Sequence, residues 1–242
     1  MAPKLVSLTW DSTDPVRLAR FWAAALEWQI SDDGATVLPT DGTTFTLSFN
    51  LSTQERVGHN RVHLDLSSTS VADQNAAVAR FVDLGAREID IGQGPDARHV
   101  VLADPDGNPF CVLEPGNNFV SRTSRFGSIT CDGTRQVGLF WSAALEWPLV
   151  WDQNEETAIK DPDGAGQLIT WGGPPIPAKH GKNRLHLDLA PAPIGGQAAE
   201  VERLLSLGAR RIDIGQGDVP WVVLADPDEN EFCVLAPGRT TH

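Results

Sequence analysis

Two long stretches of this chain occur twice, and that repetition limits what the chain can fold into. The run Asn60-Arg61-Val62-His63-Leu64-Asp65-Leu66 returns as Asn183-Arg184-Leu185-His186-Leu187-Asp188-Leu189. The run Leu102-Ala103-Asp104-Pro105-Asp106-Gly107-Asn108-Pro109-Phe110-Cys111-Val112-Leu113 returns as Leu224-Ala225-Asp226-Pro227-Asp228-Glu229-Asn230-Glu231-Phe232-Cys233-Val234-Leu235. The histidines lie 123 positions apart and the cysteines 122, so one residue is lost inside the unit while both ends stay in step. Phe21-Trp22-Ala23-Ala24-Ala25-Leu26-Glu27-Trp28 likewise returns as Phe140-Trp141-Ser142-Ala143-Ala144-Leu145-Glu146-Trp147. Repetition this close means duplicated domains, and any function has to account for both copies. The expected boundaries are 1–118 and 125–240, joined by a linker at 119–124.

The 242 residues then divide into two units of about 115–120 residues, an ordinary domain size. Apolar residues make up 41% and charged ones 21%, enough for each unit to bury a core without disulfides or metal staples. Nineteen Lys and Arg against 32 Asp and Glu give a net charge of −13, a field that repels nucleic acid and anionic lipid. Three cysteines without CxxC spacing point to reduced thiols. No leader-like or membrane-spanning apolar run is evident, so the cytoplasm is the expected compartment. Tyrosine is absent, which removes phenols from the candidate acids, bases and ligands.

Leu5 to Trp10 alternates apolar and small polar residues, as a half-buried strand does. Asp14-Pro15 is a helix start, and Leu18, Trp22, Ala25 and Leu26 form one stripe of the helix that follows, Val16 to Trp28. Strands are expected at Thr36–Leu38 and Thr44–Phe49. The order then restarts: a strand at Arg61–Leu66, a helix from Val71 to Leu84 closed by Gly85, and strands at Glu88–Ile91, His99–Ala103 and Phe110–Leu113. Each half therefore reads as two βαβββ units, at 1–58 and 59–118, then 125–181 and 182–240.

Four such units, with these helix, strand and DPxGN-type motifs, resemble the vicinal oxygen chelate superfamily. That superfamily includes glyoxalase I, bleomycin-resistance proteins and extradiol dioxygenases, and the nearest likeness is to its actinobacterial glyoxalase-like branch. The resemblance covers nearly the whole chain. It implies an α+β fold in which the modules pair into two tandem cups, one per half, with helices outside curved mixed sheets. One fold hosts many chemistries, so activity must come from the site.

Strand alternation shows which side chains would face such a cup. Val62, Leu64 and Leu66 suit the helix-packed face, leaving Arg61, His63 and Asp65 inward. Cys111 and Leu113 face in from the last strand, and Ser7, Thr9 and Asp11 from the first. The second copy gives Ser128, Thr130, Asp132, Arg184, His186, Asp188 and Cys233. Carried over position by position, the family's metal ligands fall on Ser7 and Ser128, near Ser48 to Asn50 and Thr170, on His63 and His186, and on Cys111 and Cys233. Only a histidine and a cysteine per cup survive, and a catalytic divalent ion wants three or more protein ligands. No metal or other cofactor is therefore expected, with His63 and Cys111 the pair that could still hold a divalent ion.

Every one of these residues also has a purely structural reading. An inward histidine can serve only to bond the neighbouring aspartate, cysteines are commonly small buried hydrophobes, and the tryptophans at 10, 22, 28, 141 and 147 suit the core. The Asp106-Gly107-Asn108 run need be no more than a turn. As a functional set, His63, Asp65, Cys111 and His99 are the candidate acid–base and nucleophilic residues. Ser7, Thr9, Arg61, His186, Asp188, Cys233 and Trp221 are the candidate ligand contacts. His99 stands where the second copy has Trp221, which suggests that the first half holds the more polar cup. The expected function is binding of a small organic molecule without a catalytic metal. The alternatives are a lyase- or isomerase-type enzyme acting on a small oxygenated metabolite, and metal-dependent glyoxalase or dioxygenase chemistry. The expected partner is a small molecule, with no nucleic acid and no membrane, and the chain would be a monomer or a homodimer.

Overall fold

A computed structural model describes residues 2–54, 57–120, 123–163 and 166–239. Of the expected linker 119–124, Ser121 and Arg122 lie outside the described residues. The elements run in four βαβββ modules. The first holds β1 (Lys4–Ser12), α1 (Pro15–Leu26), β2 (Gln29–Ile30), β3 (Thr36–Leu38) and β4 (Thr46–Leu51). The second holds β5 (Val62–Leu66), α2 (Val71–Asp83), β6 (Arg87–Glu88), β7 (Val100–Ala103) and β8 (Pro109–Val112). The third holds β9 (Phe126–Cys131), α3 (Arg135–Leu145), β10 (Leu149–Gln153), β11 (Glu156–Lys160) and β12 (Leu168–Trp171). The fourth holds β13 (Leu185–Ala190), α4 (Gly196–Leu207), β14 (Arg210–Arg211), β15 (Val222–Ala225) and β16 (Glu231–Val234).

The helices begin and end where the side chains dictate. Asp14 accepts the amide of Arg17 at 3.1 Å with Pro15 in the first turn, and Ser70 accepts the amide of Asp73 at 3.1 Å. Gly208 closes α4 at φ 116°, a backbone that a side chain would strain.

The strands form two mixed eight-stranded sheets, ordered β14-β15-β16-β13-β1-β4-β3-β2 and β10-β11-β12-β9-β5-β8-β7-β6. The fold is thus α+β with four modules, as the repeat implies, but the pairing corrects the expectation of one cup per half. Module 1 shares a sheet with module 4, through antiparallel β1 and β13, and module 2 shares one with module 3, through β5 and β9. The reason is symmetry: β1 and β9 are copies of one strand, so either can present the edge that β5 or β13 needs. Modules within a half meet instead through their helices. Trp22 of α1 packs edge-on against Phe110 of β8 at 5.0 Å, and Trp141 of α3 against Phe232 of β16 at 4.9 Å. The helices therefore lie between the two sheets, and one continuous core fills the space around them. The expected core tryptophans, at 10, 22, 28, 141 and 147, are all buried there.

The Asp-Pro-Asp turns do more than reverse the chain. Asp104 accepts the amides of Asp106 and Asn108 at 2.9 Å each and the indole N–H of Trp22 at 3.3 Å. Asp106 reaches across to the hydroxyl of Ser12 at 2.6 Å and the amide of Thr13 at 3.0 Å, just ahead of α1. Asp226 and Asp228 repeat this, taking the indole N–H of Trp141 at 3.1 Å and the amide of Thr134 at 2.5 Å. Each turn thus clamps the helix of its neighbouring module.

Candidate ligand and metal site

In β5 the alternation places Val62, Leu64 and Leu66 in the core and turns His63 and Asp65 to the sheet's other face. Asp65 lies in register with Cys111 of parallel β8, while His63 and Asp65 lie opposite Thr130 and Ser128 of antiparallel β9. The imidazole, carboxylate and thiol of His63, Asp65 and Cys111 thereby come within 4.8 Å of one another. Thr130 donates to Asp65 at 2.8 Å and is itself held by Ser128 and Thr170, both at 3.1 Å. The second sheet builds the same cluster from His186, Asp188 and Cys233. There Thr9 donates to Asp188 at 2.6 Å, with Ser7 bonded to Thr9 at 3.2 Å and to Ser48 at 2.8 Å.

The module pairing redistributes the expected residues. Ser7 and Thr9 serve the His186 cluster, not the His63 cluster of their own half, and both are fully buried beneath it. Arg61 gives Nη1 to the carbonyl of Asp228 at 2.8 Å and is not among the described residues that line the cavity beside Asp65. His99, half-buried just before β7, is not among the residues of the cavity beside Asp65. Cys111 joins the cluster, and burial pushes its thiol up, as it pushes Cys233 well up, which disfavours the thiolate form that a nucleophile needs. Trp221, by contrast, lines a cavity as expected.

That cavity lies in the sheet of modules 1 and 4 and has a volume of about 270 Å³. Trp221, Val223 and Ile214 wall it, His186 and Cys233 reach it, and Asp11, Lys182, Gln216 and Glu231 bring polar groups to it. The cavity of the other sheet is smaller, about 170 Å³, and takes in Asp65, Thr130 and Thr170. Asn117 and Phe119 from the segment after β8 intrude there, with Phe119 packed on Trp151 of β10 at 4.7 Å. The larger cavity thus belongs to the second copy's cluster, although His99 suggested the first.

The sequence count of two ligands per cup omitted the aspartates. Position 65 is not where the family keeps a ligand, and only the β5–β8 register shows its carboxylate beside the thiol. In both clusters the imidazole Nε2 lies 3.4 Å from a carboxylate Oδ1, longer than a charge-assisted hydrogen bond. It matches the edge of about 3.4 Å between N and O ligands on tetrahedral zinc. One nitrogen, one oxygen and one sulfur donor fit Zn²⁺ with a fourth position left open. Burial opposes the charge on His63, yet Asp65 and Cys111 beside it hold the imidazole well above its usual range. Burial likewise opposes the charge on Asp65, and His63 holds it below the usual carboxylate range. Each group thus favours the charged form of the other.

A glyoxalase-like domain model matches residues 7–113 and again 128–235. The chain belongs to the glyoxalase-like domain family. It is a two-domain member of the vicinal oxygen chelate superfamily. Among solved structures, glyoxalase I from Zea mays is 12% identical, with 97% of this chain and 92% of that one aligned at a TM-score of 0.59. A putative dioxygenase from Bacillus subtilis is 14% identical, with 100% and 87% aligned at 0.61. At such identities these likenesses establish the fold alone. No curated protein matches the sequence. No helix among the described residues is long and apolar enough to cross a membrane.

Proposed function

We propose that this protein binds a small oxygenated organic molecule in the cavity of the module 1–module 4 sheet, against a divalent ion held by His186, Asp188 and Cys233. The observation that carries this reading is the convergence of three different donor side chains beside a cavity of about 270 Å³ walled by an indole and two aliphatic side chains. Trp221, Ile214 and Val223 supply apolar contact to the body of the ligand. Thr9, through Asp188, fixes the orientation of the carboxylate, and Ser7 and Ser48 fix Thr9 in turn. A bound Zn²⁺ would polarise a ligand carbonyl or hydroxyl oxygen. His63, Asp65 and Cys111 form the corresponding set in the narrower cup.

One observation favours a second reading without metal. The charged His63–Asp65 pair could donate a proton to a ligand oxygen, as a general acid of the lyase or isomerase type would. Cobalt titration separates the two. Metal binding predicts a thiolate-to-cobalt charge-transfer band that halves in Cys233→Ala or Cys111→Ala and vanishes in the double variant. An absent band, with no metal retained on dialysis, would leave the acid–base reading standing. Ligand capture is checked by thermal shift against small 2-hydroxy acids, 2-oxo acids and catechols with Zn²⁺ present. A stabilising compound should lose its effect in Trp221→Ala, and failure of the whole panel would count against the cavity as the binding site.

A further inference from the structure

Swapping the two halves maps one sheet order onto the other, so equivalent loops of the two copies face each other. Where β5 and β13 approach, the residues 57–61 of one copy meet 178–184 of the other. They enclose a small cavity of about 10 Å³, room for roughly one water-sized sphere. Its lining includes Arg61, Arg184, His59, His180 and Lys182, with no acidic residue among the described residues that line it. In a chain of net charge −13 that concentration of basic side chains is out of character.

Among the described residues, the arginines are the part left without a carboxylate partner. His59 lies 2.7 Å from Asp132 and Lys182 lies 2.5 Å from Asp11, so those two have carboxylate partners. Arg61 and Arg184 instead give Nη1 to main-chain carbonyls, of Asp228 at 2.8 Å and Asp11 at 3.0 Å. Arg61 is only 5% exposed, and the Nε of each arginine is buried without a hydrogen-bond acceptor among the described residues. A guanidinium is charged at every physiological pH, and a buried N–H without an acceptor is destabilising. The two side chains come from equivalent positions of the repeat, line one cavity and lack the same kind of partner.

We infer that this junction is a binding site for a small monovalent inorganic anion of chloride size, shared by Arg61 and Arg184. The anion accepts from both guanidiniums and ties the openings of β5 and β13 together. Arg61 and Arg184 lie two residues before His63 and His186, so the site also braces the strands that carry both donor clusters. It is a cavity distinct from the cups, although Lys182 borders both it and the larger cup.

The test compares thermal unfolding of the whole protein in sodium chloride and in sodium gluconate at equal sodium concentration, gluconate being too large for the cavity. Chloride at about ten times its dissociation constant should raise Tm by about 3–5 °C, saturably. Arg61→Gln and Arg184→Gln should each lose most of that rise. Because either variant could fold poorly, crystals of the unaltered protein grown in sodium bromide give a second measurement. An anomalous peak within hydrogen-bonding distance of both arginines is expected. Equal Tm in the two salts, a chloride effect that survives both substitutions, or no bromide at the junction would each overturn the inference.

Discussion

Gly138 in the second turn of α3 offers a quantitative check on how the helices seat on their sheets. A Cβ placed there would lie 2.0 Å from Oγ1 and 2.7 Å from Cβ of Thr157 on β11, and 3.1 Å from Cε3 of Trp171. Thr157 is fully buried, so its β-carbon cannot give way without moving the strand or the helix. The matching helix positions place Ala19 of α1 against Gly138, and the matching ladder positions place Ala35 against Thr157. One copy uses two alanines where the other uses a glycine and a threonine.

Gly138→Ala should gain about 1 kcal/mol of helix propensity and lose about 3 kcal/mol to overpacking, a net loss of about 2 kcal/mol. For a chain this long that is a fall in Tm of about 4–8 °C. Thr157→Ala removes the nearest crowding atom, Oγ1, a buried hydroxyl that has no hydrogen-bond partner among the described residues, but leaves Cβ in place at 2.7 Å. The double variant restores the residue pair of the first copy and should recover about half of that loss, a coupling of about 1 kcal/mol, the rest being the Cβ contact that alanine keeps. Urea unfolding of the four proteins, followed by tryptophan fluorescence, measures this cycle. If Gly138→Ala cost the same with Thr157 or Ala at position 157, the close helix–sheet contact would not be the cause.

The cobalt titration and the chloride comparison above test the clusters and the inter-repeat junction. Trp141→Phe keeps the ring packing but leaves Asp226 without its indole donor, so it should cost about 1–3 kcal/mol in urea unfolding, whereas a free rim tryptophan would cost almost nothing. Burial pushes Asp104 and Asp226 up to about 6, outweighing the N–H donors that lower them. Their folded pKa lies above the unfolded value, so the native state binds more protons between about pH 4 and pH 6. Stability should therefore fall as pH rises through that window, by about 3 kcal/mol for each group. Unfolding curves at pH 4.5 and 6.5 check the sign, and a rise in stability with pH that Asp104→Asn leaves unchanged would refute it.

Much of the fold was legible because it rests on local patterns written twice. Asp14-Pro15, the alternation of Val62, Leu64 and Leu66, and the Asp-Pro-Asp turns are short-range signals that do not depend on what packs against them. The same alternation put His63, Asp65, Cys111 and their copies on one sheet face. The sequence could not say which copy of the opening strand pairs with which. Ser7 and Ser128 stand in strands that share the same Ser-x-Thr-x-Asp pattern, so the choice between β1 and β9 as partner for β5 is made by how the chain packs around its shared helix layer. That choice sent Thr9 to Asp188 and Thr130 to Asp65. Tertiary structure also decided that the aspartates join the histidine–cysteine pairs, because the β5–β8 and β13–β16 registers bring each carboxylate beside a thiol more than forty positions away. The repeat determined that there are two clusters. Strand pairing and register, which bring together residues far apart in the chain, determined what each cluster contains.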